Sequence, residues 1–170
     1  MPRIHVCSLF QIADVTEATG ARSLITLINQ GVYVDRPAAI APERHLQVAI
    51  SDVCEDMEGH ILADGGHVQT LIDFVRAWDR AEPLVIHCFA GVSRSTAGAY
   101  IAVCALNPQA NENEIAQRLR RASPTATPNA HLVTLADRAL GRDGRMIAAI
   151  KEIGRGADCI EAEPFALELY

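Results

Sequence analysis

Residues 84 to 106 constrain the fold of this chain more than any other stretch. Leu84-Val85-Ile86 is an unbroken apolar run, the pattern of a parallel strand covered on both faces. Six residues after Cys88 the chain turns helical. From Thr96 to Leu106 that helix is small and apolar all round, so it is buried too, and Pro108 ends it. A buried strand turning directly into a buried helix commits the chain to an α/β sheet. Ligands in such folds bind beyond the carboxyl ends of the strands.

The rest of the sequence supplies the partners. Ile4 to Cys7, Leu24 to Ile28 and His45 to Ile50 read as further strands. Asp14 to Gly20 reads as a short helix stopped by its glycine. Arg36 to Pro42 carries two prolines and is a loop. Asp64-Gly65-Gly66 opens a helix whose Val68, Leu71, Ile72, Val75 and Trp78 form one apolar stripe. Three amphipathic helices follow the buried one. The first carries Ile115, Ala116, Leu119 and Ala122, and its Asn111 and Glu114 have capping-box spacing. The second carries Leu132, Leu135, Ala136 and Ala139. The third carries Met146, Ile147 and Ile150 and stops at Gly154. The expected fold is α/β, a central mostly parallel sheet flanked by helices, with an all-helical C-terminal third.

A length of 170 residues fits one domain, with a core over about 1–154 and a tail, 155–170, packed on it through Ile160, Phe165, Leu167 and Leu169. No apolar run approaches the roughly 18 residues of a membrane helix. Met1 to Phe10 does not read as a secretory signal, so a cytoplasmic setting is expected. A net charge of −6 argues against nucleic acid and anionic membranes as partners. The basic residues are 14 Arg and one Lys, a bias that suits a GC-rich bacterial genome. The five cysteines contain no CxxC pair and form neither a disulfide framework nor a zinc site; most read as small buried hydrophobes. His45, His60, His67 and His131 lack metal-ligand spacing, so neither a metal nor a cofactor is expected. Arg118, Arg120 and Arg121 read as a solvated helix face, and Trp78 as core.

The turn between the buried strand and its helix reads His87-Cys88-Phe89-Ala90-Gly91-Val92-Ser93-Arg94-Ser95. It lies at a helix N-terminus, where free N–H groups and the helix dipole favour an anion. Gly91 permits a positive φ. Arg94 offers a planar fork of donors that matches two phosphate oxygens. A thiol at Cys88 in such a nest should ionise more readily than a free one. Ser95 can bond the sulfur, and His87 can fix the loop backbone.

His-Cys-x5-Arg-Ser at a strand–loop–helix junction resembles the signature of the cysteine-based protein tyrosine phosphatases, and of their small dual-specificity-like branch in particular. The resemblance extends to the strand order and to Ser123–Asn129, which looks like that family's proline–asparagine turn; it spans about residues 1 to 150. It implies a phosphocysteine mechanism without cofactor. Cys88 would be the nucleophile, and Arg94 with the backbone of Phe89, Ala90, Gly91, Val92 and Ser93 would bind the phosphoryl group. Ser95 would assist breakdown of the intermediate, with His87 in support. The implied general acid is an aspartate after the third strand. Asp52 is preferred because it follows that strand directly; Asp56 is the alternative. Cys54, between them, is a candidate redox partner of Cys88.

The implied substrate is a phosphorylated protein, through phosphotyrosine or with dual specificity, or a small phosphoester. No lysine stands in the loop, which disfavours inositol lipids. The competing readings are a phosphate-binding pseudophosphatase and a rhodanese-like cysteine phosphatase.

Overall fold

The computed structural model describes residues 3–170. Its elements are β1 (Arg3–Cys7), α1 (Ile12–Thr19), β2 (Ser23–Ile28), β3 (His45–Ala49), α2 (Gly65–Ala77), β4 (Leu84–His87), α3 (Arg94–Leu106), α4 (Glu112–Ala122), α5 (Ala130–Ala139), α6 (Arg145–Ile153) and β5 (Phe165–Glu168). The sheet order is β3-β2-β4-β1-β5. The first four strands are parallel and β5 runs antiparallel on β1. β2 and β4 are buried along their whole length, as inner strands of a doubly covered sheet should be.

α1 covers one face, packing Ile12 and Val15 with Cys7, Leu24 and Val85. The other face carries the main core, contributed by α2 through α6. α3 is its centre: every residue from Arg94 to Ala105 is buried. Gly98 lets α3 approach the sheet, since a Cβ there would lie 2.8 Å from Leu27 Cδ1.

Local signals explain most boundaries. Gly20 caps α1 in the left-handed conformation at φ 70°. Asp64 and His67 exchange side-chain bonds in a capping box at the start of α2. Asn111 caps α4 through the N–H groups of Asn113 and Glu114, so half of the expected box is present. Trp78 belongs to the core but not to the helix, because its ψ of 124° turns the chain away from α2.

Two expectations are corrected. Arg118 and Arg120 are not a solvated face: Arg118 donates to the carbonyl of Glu168, and Arg120 to those of Ser123, Pro124 and Gly154. They tie α4 to the chain's C-terminal segment. Most of the cysteines are buried, as expected, namely Cys7, Cys88 and Cys104, whereas Cys54 and Cys159 are exposed loop thiols. The C-terminal segment contains a fifth strand that its composition did not reveal. Before that strand, Ala162 donates its N–H to Ala90 of the Cys88 loop, at 3.0 Å. Among the described residues no helix is long and apolar enough to cross a membrane.

Candidate active site

The parallel strands all end on one side, and the loop after β4 lies there at the middle of the sheet. Its carbonyls are tied outward one by one. His87 Nδ1–H donates to Cys88 O (2.8 Å), Leu9 N–H to Phe89 O (3.0 Å) and Ala162 N–H to Ala90 O (3.0 Å). Thr127 N–H donates to Val92 O (2.9 Å) and Asn129 N–H to Ser93 O (3.2 Å). The N–H groups of Phe89 through Ser93 have no protein acceptor among the described residues. The loop therefore keeps its donors free, which is the arrangement of an anion nest.

Gly91 is required by two features. Its φ is 76°, and a Cβ would sit 3.0 Å from the backbone carbon of Cys7 and 3.1 Å from the Ser8 nitrogen. Ser93 stands at the N-cap of α3 but makes no cap bond. Its hydroxyl donates instead to Asp52 Oδ1 at 2.7 Å, so the first turn of the helix stays open to a ligand.

Cys88 is 3% exposed, and its Sγ lies 3.1 Å from Ser95 Oγ. Arg94 is 5% exposed. Its Nη1 donates to Asn29 Oδ1 (2.7 Å) and to the Ile50 carbonyl (2.8 Å). Its Nε is buried without a partner. A buried guanidinium fixed by one nitrogen, with another unsatisfied, lacks an acceptor that an anion would supply. His87 is fully buried, and desolvation takes its pKa down to about 4, so the ring is neutral at pH 7.

Asp52 reaches this loop and Asp56 does not. Asp52 Oδ1 accepts from Ser93 Oγ and from Asn129 Nδ2 (2.9 Å), while Asn129 also bonds the Val53 carbonyl (3.2 Å). Ser51 and Ile61 close the base of the excursion that follows β3, through Ser51 N–H to Ile61 O and Ile61 N–H to Ser51 Oγ. Asp52 stands at that base. Asp56 is exposed near the tip, with no hydrogen bond to the loop after β4. Cys54 is exposed on the same excursion.

Asn29, Asn129, Thr26 and His45 were not singled out as site residues from the sequence. Thr26 carried a signal: it is the one polar residue between Leu24 and Ile28, in a strand that is otherwise apolar there. Asn29 directly follows that strand, at the ligand end of the sheet.

This is the fold of the dual-specificity and tyrosine phosphatases. No family model matches the chain, and no curated protein does; the likeness is to solved structures. DUSP15 is 15% identical, with a TM-score of 0.64 over 89% of this chain and 92% of its own. Cydia pomonella PTP-2 phosphatase is 19% identical, with a TM-score of 0.63 over 79% of this chain and 84% of its own. A human tyrosine phosphatase-like serine/threonine/tyrosine-interacting protein is 13% identical, with a TM-score of 0.62 over 82% of this chain and 90% of its own.

Proposed function

We propose that the protein is a cysteine-dependent phosphomonoester hydrolase, a single catalytic domain over residues 1–170. The observation that carries this reading is the nest itself. Free N–H groups and an unpaired Arg94 Nε surround a cysteine whose sulfur is bonded to Ser95. Such preorganised donors favour the transferring phosphoryl group most where its charge builds up.

In the first step Cys88 Sγ attacks phosphorus, the ester P–O bond breaks, and the leaving oxygen takes a proton from Asp52. Both donors to Asp52 fall on Oδ1, so the carboxyl proton resides on Oδ2. In the second step water attacks the phosphocysteine and gives a proton to the Asp52 carboxylate. The P–S bond breaks, and the departing thiolate is stabilised by the Ser95 hydroxyl.

We assign the substrate to phosphotyrosine-bearing or dual-specificity protein targets, with small aryl phosphates as surrogates. Phe10 and Phe89, 68% and 50% exposed, meet edge to face at a centroid distance of 5.5 Å. They offer an apolar rim for an aryl ester beside the loop. Exposed Asp52, Glu55, Asp56 and Glu58 make the opposite rim acidic, which disfavours polyanionic headgroups. A cytoplasmic setting would keep the five free thiols reduced.

The test is hydrolysis of an aryl phosphate in EDTA by wild type and Cys88→Ser. Wild type should turn over and be inhibited by vanadate, and Cys88→Ser should be inactive while still binding the oxyanion. Full activity of Cys88→Ser would refute the reading. Oxyanion binding by an inactive wild type would favour the pseudophosphatase alternative.

A further inference from the structure

The bond from His87 to the loop is the end of a longer chain. His87 is neutral, so its imidazole has one N–H. The Cys88 carbonyl can only accept, which places that hydrogen on Nδ1. Nε2 is then a buried lone pair in need of a donor, and Thr26 Oγ1 lies 2.8 Å from it. With the Thr26 hydrogen so engaged, its oxygen accepts from His45 Nε2–H at 2.7 Å. Burial holds the His45 pKa below its ordinary value, and a neutral ring can still donate from Nε2. The carbonyl at one end thus sets the direction of every bond across β3, β2 and β4. The sheet makes the chain possible: Thr26 is the register partner of His87, and His45 pairs with Leu24, one diagonal step from Thr26.

We propose that Thr26 and His45 are positioning residues for the nucleophile, holding His87 in its Nδ1–H tautomer and the Cys88 carbonyl turned out of the nest. This inference rests on reading Cys88 as the nucleophile. A trans peptide points its C=O and N–H in opposite directions. Fixing the Cys88 carbonyl toward His87 therefore aims the Phe89 N–H into the nest, beside the sulfur. Without a donor on Nε2, the ring gains by moving its hydrogen there. Nδ1 would then present a lone pair to the Cys88 carbonyl, the two would repel, and the Phe89 N–H would be released. The other ionisable groups against this chain are Arg94 on α3, Cys7 on β1 and Arg36 beside His45. Arg94 and Arg36 donate to Asn29, Ile50 and Ile40, so neither substitutes for Thr26.

The experiment measures alkylation of Cys88 by iodoacetamide at pH 6, resolved by peptide mapping, in the intact protein. Cys54 and Cys159, both exposed, serve as internal standards. Thr26→Val keeps the shape of the side chain and removes the donor. It should slow Cys88 alkylation and aryl-phosphate turnover by about tenfold, the scale of one hydrogen bond at a charged group. Thr26→Ser should restore both rates to within about twofold, and the two standards should not change. His45, at the half-buried start of β3, provides a second pair of variants should Thr26→Val fold poorly. His45→Leu should slow alkylation about threefold, and His45→Gln, whose amide can donate in place of Nε2–H, should not. Unchanged alkylation in Thr26→Val or His45→Leu, with wild type active on aryl phosphate, would overturn the relay alone. A wild type without aryl-phosphatase activity would instead overturn the reading of the site.

Discussion

From Cys88 to Ser93 the chain is held by its backbone: the carbonyls of Cys88, Phe89, Ala90, Val92 and Ser93 are bonded by His87, by Leu9, by Ala162 and by Thr127 and Asn129 of one turn. From Asp52 to His60 the chain is held at its base by Ser51 and Ile61, and beyond that by side chains. Asn129 and Ser93 grip one oxygen of Asp52, and the residues from Cys54 to His60 are exposed. The two loops meet where the Ser93 hydroxyl donates to Asp52. The first has the rigidity needed to place an oxyanion, because a nest works only when its N–H groups converge. In the proposed mechanism the second delivers one proton and can be built more loosely. Damage to the first should therefore be severe for every substrate, and damage to the second should depend on the leaving group.

The largest expected effect comes from Arg94→Lys. An ammonium cannot present a bidentate fork, and the bonds to Asn29 and Ile50 that orient the guanidinium would be disturbed. Turnover should fall by roughly 1,000-fold or more on alkyl and aryl phosphates alike. A loss confined to alkyl esters would blur the distinction between the loops.

The floor of the rigid loop should also register in acid. His87 titrates near 4 in the fold against an ordinary 6.5. Between these values the unfolded chain binds the extra proton, so stability rises with pH there. The contribution of His87 is complete above pH 6.5 and is lost as pH falls toward 4, on the order of 3 kcal/mol in all. Denaturant titrations across that range should show the slope, and His87→Gln should flatten it.

Asp52→Asn should slow alkyl-phosphate turnover by roughly 100-fold. The loss should be smaller on aryl phosphates, whose oxygens leave with little need of a proton. Asp56→Asn should change neither. Asn129→Ala, which removes one donor to Asp52, should give a weaker version of the Asp52 effect. If Asp56→Asn proves the damaging variant, the proton comes from the tip of the excursion and not from its base.

The same contrast explains what was readable in the sequence. The nest is built from consecutive residues, His87 to Ser95, so its composition and the strand and helix around it display it in one line. The side proposed to donate the proton is assembled across the chain: Asp52 meets Asn129 from 77 residues away. Two aspartates four residues apart look alike until that clamp is seen. The relay below the nest uses one residue from each of three strands, and side chains that meet across a sheet leave no local spacing to read. The fifth strand went unnoticed because Phe165–Glu168 is only 4 residues long and partners the N-terminal strand, 165 residues away at the Arg3–Glu168 ion pair. Arg118 and Arg120 of α4 read as solvent-facing by helical period alone. Their carbonyl partners lie in the turn that follows, at the end of α6 and in β5.

The central claim is that phosphate is transferred to the Cys88 sulfur and leaves it with help from Ser95. Ser95→Ala removes the hydroxyl 3.1 Å from that sulfur and leaves the nest and Arg94 in place. When this variant is mixed with excess aryl phosphate, quenched rapidly and analysed by intact mass and peptide mapping, one phosphoryl group should be found on Cys88. It should appear in a burst and decay more slowly than in wild type. A phosphoryl group on any other residue, or steady hydrolysis with Cys88 never modified, would contradict the account.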